Sequence, residues 1–242
     1  MLVEGTIRWQ VTEDCPWDVL LALALRDLAG LTGECAETIP PVHPAPVPTM
    51  GRRRPTESGR QSSEPLNGGD GAGSELEAGS RPGADLDGGS RPGADLDGID
   101  RVALAAQWRG WWAGIILRET RPFMSPVRPP NFEVFDRALE LQELLYRHYD
   151  AAMRWSIDRH AEYERSVRQR GSSLPAIYRL VQRRQLQLRR QSNSFRVDLT
   201  VLPLAQYGGW VVAPDTIVVS ASLRDDPDAF QAWFEPIVEA LV

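Results

Sequence analysis

The chain has 242 residues, 42% hydrophobic and 25% charged, with a formal net charge of −6. That composition suits a folded core of one or two domains, and the acidic balance gives no bulk tendency to coat nucleic acid. All 27 basic residues are arginine, which excludes Schiff-base, P-loop and kinase-type lysine chemistry.

Residues 2–11 alternate Val3, Gly5, Ile7, Trp9 and Val11 against Glu4, Thr6, Arg8 and Gln10, which predicts a half-buried strand. Asp14-Cys15-Pro16 then reads as a helix start. The helix carries Trp17, Leu20, Leu21, Ala24, Leu25 and Leu28 and ends at Gly30 or Gly33. The opening residues lack a basic, then apolar, leader, no apolar run is long enough to span a bilayer, and two cysteines suit a reducing compartment. The expected location is cytoplasmic.

Residues 40–98 are expected to be a disordered linker. They hold nine Pro and twelve Gly, and only six residues are Leu, Ile, Val or Phe. So little apolar surface cannot offset the entropy of ordering. Residues 79–88 and 89–98 are the same ten letters twice, and Leu66, Leu76, Leu86 and Leu96 keep the interval through two worn copies. The linker separates an N-terminal strand and helix (1–39) from the larger part of the main domain (99–242).

Residues 100–118 read as a helix with a bulky stripe, Leu104, Trp108, Trp111, Trp112 and Ile115, and a small stripe, Ala103, Ala106, Gly110, Ala113 and Gly114. Two such faces suit a helix buried between two neighbours. Trp108-Arg109-Gly110 and Trp112-Ala113-Gly114 each resemble the Trp-x-Gly turn of small secreted helical-hairpin proteins. In that family the turn joins two long helices, whereas a Gly-rich repeat precedes this segment, so membership is not adopted. After an irregular stretch with Pro122, Pro126, Pro129 and Pro130, Asn131 is placed as the cap of a long helix to about Arg170. Gly171-Ser172-Ser173 turns it into a second helix ending near Arg190. Together they predict a helical hairpin over about 131–190.

Strand patterns follow at Phe195, Val197, Leu199 and Val201, at 210–212 and at 216–219, and Asp225-Asp226-Pro227 opens a final amphipathic helix. The expected fold is α+β. A small antiparallel sheet, made of the N-terminal strand and the strands of about 195–242, packs against the hairpin and further helices.

Candidate chemistry is sparse. His148 and His160 are twelve apart on one helix, about 18 Å by rise, too far to share a metal. Cys15 sits where a helix begins but beside Asp14, and Asp225, Asp226 and Asp228 read as helix capping. No catalytic residue, metal or cofactor is expected. The distinct feature is electrostatic: residues 165–197 hold nine arginines and no acid. Arg179, Arg183, Arg184, Arg189 and Arg190, with Trp108, Trp111 and Trp112, form the candidate interaction surface. The expected function is a non-enzymatic intracellular interaction or accessory role with a protein partner or self-association, and no membrane. The alternative is a nucleic-acid-binding accessory factor using the arginines of 165–196.

Overall fold

The structure, a computed structural model, describes residues 9–35, 39–48, 96–116 and 127–242. Strand β1 (Trp9–Asp14) leads into helix α1 (Trp17–Leu28), and the chain continues through α2 (Arg101–Ile116), α3 (Leu139–Arg170) and α4 (Leu174–Leu188). Strands β2 (Phe195–Leu202), β3 (Gly209–Ala213) and β4 (Thr216–Ser220) follow, then α5 (Ala221–Arg224) and α6 (Pro227–Leu241). Residues 2–8 of the expected first strand lie outside the described residues. Among the described residues no helix is long and apolar enough to cross a membrane.

The N-terminal strand does join the C-terminal strands, in the order β1-β2-β4-β3. The expected antiparallel pairing is corrected: β1 runs parallel to β2, and β2 parallel to β4. β1 feeds straight into α1, so β2 can enter beside it in the same direction after the helical excursion, as a crossover allows. Only β3 and β4, joined across Pro214-Asp215, are antiparallel. The sheet is therefore mixed.

One face of the sheet presents Val11, Val197, Leu199, Val201, Ile217 and Val219 to Ile177, Leu180 and Val181 of α4 and Phe230, Phe234 and Val238 of α6. α1, α2 and α3 make a second apolar cluster, which the strands enter at Leu202, Ala213 and Val218. Every α1 residue from Val19 to Leu28 is buried. β2 is likewise buried from Val197 onward, including Asp198 and Thr200. Asp198 tolerates this because Thr12 Oγ1 donates to it at 2.5 Å and Arg196 Nη2 at 2.9 Å.

The expected linker is too long at its N-terminal end. Residues 39–48 form a strap on the body, with Ile39, Val42 and Pro46 buried. Arg26, fully buried on α1, donates to the Ile39 and Pro40 carbonyls at 2.6 and 2.8 Å, and the Val42 N–H donates to Asp27 at 2.8 Å. Val42 bridges to Leu204, and Trp155 Nε1 donates to the Pro44 carbonyl at 2.8 Å. At the other end Leu96 is buried. The rest of the expected linker, 49–95, lies outside the described residues.

The two expected helices and the turn at Gly171-Ser172-Ser173 are present, and only the start of the first is corrected. Helix α3 begins at Leu139, not at Asn131; a short 3₁₀ turn, Glu133–Phe135, precedes it. Phe132 there takes a left-handed backbone (φ +48°) as its ring enters the core, and the Asn131 carbonyl accepts from Tyr146 Oη. α3 then runs unbroken for 32 residues, about 48 Å. It packs on α1 and α2, while α4 packs on α6 and β1, so the two helices diverge from their turn.

Candidate functional site

Four polar constellations are open to functional reading. The first joins β1, the α3–α4 turn and α5. Glu13 and Arg224, with side chains only 1% and 2% exposed, meet at 3.0 Å. The other Glu13 oxygen accepts from Ser172 Oγ, Ser173 Oγ and the Ser173 N–H, each at 2.7 Å. Burial pushes the Glu13 carboxyl up, but the serine hydrogen bonds and then Arg224 outweigh it and hold it below its ordinary range. Arg224 also donates to Ser166, Asp225 and the Gly171 carbonyl. Glu13 accepts four hydrogen bonds and Arg224 donates four, all within the protein, which makes this a latch rather than a reactive site.

The second is the Arg26–Asp27 clamp on the strap, likewise bonded to protein. The third surrounds Cys15. The His160 ring donates from Nδ1 to the Cys15 carbonyl at 2.9 Å, and its Nε2 is 3.5 Å from Glu164. The Trp17 ring lies 4.2 Å away, centroid to centroid. Burial first, and Asp14 second, push the Cys15 thiol up to about 12, which makes it a poor nucleophile near neutrality. A thiol reagent at pH 8 should leave Cys15 unmodified in the folded protein and label it on unfolding, read by mass after proteolysis. Among the described residues no group of three or more His, Cys, Asp or Glu is placed to hold a metal.

The fourth is the arginine-rich run, which the structure divides. Arg183 and Arg184 face acids of α6, with Glu235 at 3.6 Å and Glu239 at 3.5 Å. These exposed pairs contribute little stability but neutralise two cations of the candidate surface. Trp108, Trp111 and Trp112 leave that surface altogether. They are buried against α1 and α3, and Trp108 Nε1 donates to the Ala22 carbonyl at 2.8 Å. The bulky stripe of α2 was the core-facing one, and the small residues Ala106, Gly110 and Ala113 face outward.

What remains of the candidate surface is the carboxyl end of α4. Gln182, Gln185, Leu186, Arg189, Arg190 and Gln191 line an open hollow there. Leu186 is 79% exposed. It falls off the buried stripe of Ile177, Leu180 and Val181. Arg179 and Arg189 are exposed and make no ion pair among the described residues, and Arg190 is held by the Val242 main-chain oxygen at 3.0 Å. Arg189 also closes the helix with left-handed backbone (φ +52°), where its N–H donates to the Leu186 carbonyl. Glycine adopts that conformation freely, and any other residue does so at a penalty of about 1–2 kcal/mol. Leu186 was not singled out by sequence, although its break from the buried stripe was a usable signal.

No protein-family model, curated protein or solved structure matches this chain.

Proposed function

We propose that the protein is a non-enzymatic docking protein of the cytoplasm that takes an acidic segment of a partner protein on the carboxyl end of α4. The observation that carries this reading is Leu186, an almost fully exposed leucine among arginines and glutamines. Desolvating one leucine supplies binding energy, and the surrounding guanidiniums select carboxylates by paired hydrogen bonds. The residue at the left-handed cap supports it, since an arginine stands where the backbone would favour glycine. A nucleic-acid strand suits the surface less. Glu235 and Glu239 border the arginines, and Tyr178 of α4 is packed on Trp9 with ring centroids 4.8 Å apart.

The test compares proteins captured by the full chain and by its Leu186→Glu variant. A partner retained by the first and lost by the second, at unchanged melting temperature and with steep salt dependence, is the expected result. Identical captures would remove the reading. A low-salt mobility shift with single-stranded oligonucleotides, lost when Arg179 and Arg189 become alanine, would favour the nucleic-acid alternative instead.

A further inference from the structure

The hollow on α4 has a simple complement: one apolar residue between two carboxylates. The sequence contains that unit three times at intervals of ten, as Glu75-Leu76-Glu77, Asp85-Leu86-Asp87 and Asp95-Leu96-Asp97. Of the third copy, Leu96 and Asp97 lie in the described structure, on the body of the protein. Leu96 is buried in the main apolar cluster, and Arg147 Nη2 donates to the Asp97 carbonyl at 3.1 Å. One repeat leucine thus buries itself on this chain's own body, and an arginine holds the main chain beside it. The other two copies lie outside the described residues.

We propose that the acid–Leu–acid units at 75–77 and 85–87 dock on the α4 hollow of their own chain, leucine against Leu186 and a carboxylate toward Arg189. This rests on the docking reading of that surface and adds its regulation: the chain's own repeats compete with a partner's acidic segment. Reach permits it. Leu76 and Leu86 are twenty and ten residues from Leu96, which allows at most about 70 and 35 Å of extended chain; the first exceeds the full length of α3, about 48 Å, so the unit at 75–77 has the longer reach. Affinity demands are modest too. A tethered ligand acts at an effective concentration of about 1 mM, so a unit with an intrinsic Kd of about 0.25 mM fills the hollow some ~80% of the time and weakens a competitor about fivefold.

The experiment uses the full chain and a variant carrying Glu75→Gln, Glu77→Gln, Asp85→Asn and Asp87→Asn. The probe is a fluorescent synthetic peptide of residues 72–88, read by anisotropy. The peptide should bind the variant about fivefold more tightly than the wild type, because the internal competitor is gone. Arg189→Gly should weaken peptide binding about two- to fivefold, the loss of one exposed charge pair, while leaving the melting temperature equal or higher. Equal affinity for the two chains, or binding unchanged by Arg189→Gly, overturns the proposal. Sedimentation of both chains over a wide concentration range settles the source: association of the wild type that the variant lacks would put the units on a second copy and overturn docking within one chain. The docking function itself stands or falls separately, on whether partner capture depends on Leu186.

Discussion

Replacing Arg224 by alanine is expected to destabilise the protein by about 3–5 kcal/mol, the usual consequence of stranding one member of a buried ion pair. Glu13, 1% exposed, would keep its three serine hydrogen bonds but lose its only countercharge. Asp225 would lose an Arg224 contact, and the Gly171 carbonyl its guanidinium donor. Urea unfolding at neutral pH measures the effect, and a change below 1 kcal/mol would show that water enters and replaces the latch. The pH dependence has a definite sign. The folded Glu13 carboxyl titrates below its ordinary value of 4.5, so its contribution is complete above about pH 4.5 and disappears as pH falls through the folded value. Stability of the wild type should therefore decline on acidification below that point, and Glu13→Gln should flatten part of the decline.

Arg26→Ala should have a comparable effect, about 3–5 kcal/mol, with a different local signature. The fully buried guanidinium binds Asp27 at 2.7 Å, donates to the Ile39 and Pro40 carbonyls and lies 5.8 Å from the centre of the Trp108 ring. Without it, Asp27 keeps its bond from the Val42 N–H but loses the guanidinium, and two strap carbonyls lose their donors. Hydrogen exchange should then quicken first at Val42 and His43, whose N–H groups reach Asp27 and the Pro203 carbonyl, ahead of global unfolding. Exchange that rises uniformly over the protein would show that the strap has no separate hold.

Much of the fold was legible in local pattern. The alternation around Trp9 and Val11 marked a strand that had no partner nearby, and the same alternation at Val197, Leu199 and Val201 supplied one. Asp226 accepts from the Ala229 N–H and caps α6, as Asp225-Asp226-Pro227 implied. Strand direction was not legible, because period two reports which face is buried and carries nothing about polarity. The strap was hidden by averaging: Ile39 and Val42 are two apolar anchors at the head of 59 mostly Gly, Pro and polar residues. The three tryptophans were misplaced because a bulky stripe and a small stripe look alike as surfaces until burial distinguishes them. For the arginine-rich run the cations were visible, but Glu235 and Glu239, which cancel two of them, stand about fifty residues later. The Glu13–Arg224 latch had no local signal at all, since its partners are 211 residues apart.

The parallel pairing of β1 with β2 has a consequence for biosynthesis. Thr12 and Asp198, bonded across those strands, are separated by 186 residues. At about 5–20 residues per second a ribosome needs roughly 10–40 s to deliver the second after the first. Throughout that interval the leucine-rich α1 has been made while the strand that anchors its neighbour has not. A nascent chain with so long a wait is a natural client for holding chaperones, and slowing translation between those two positions should lower the soluble yield.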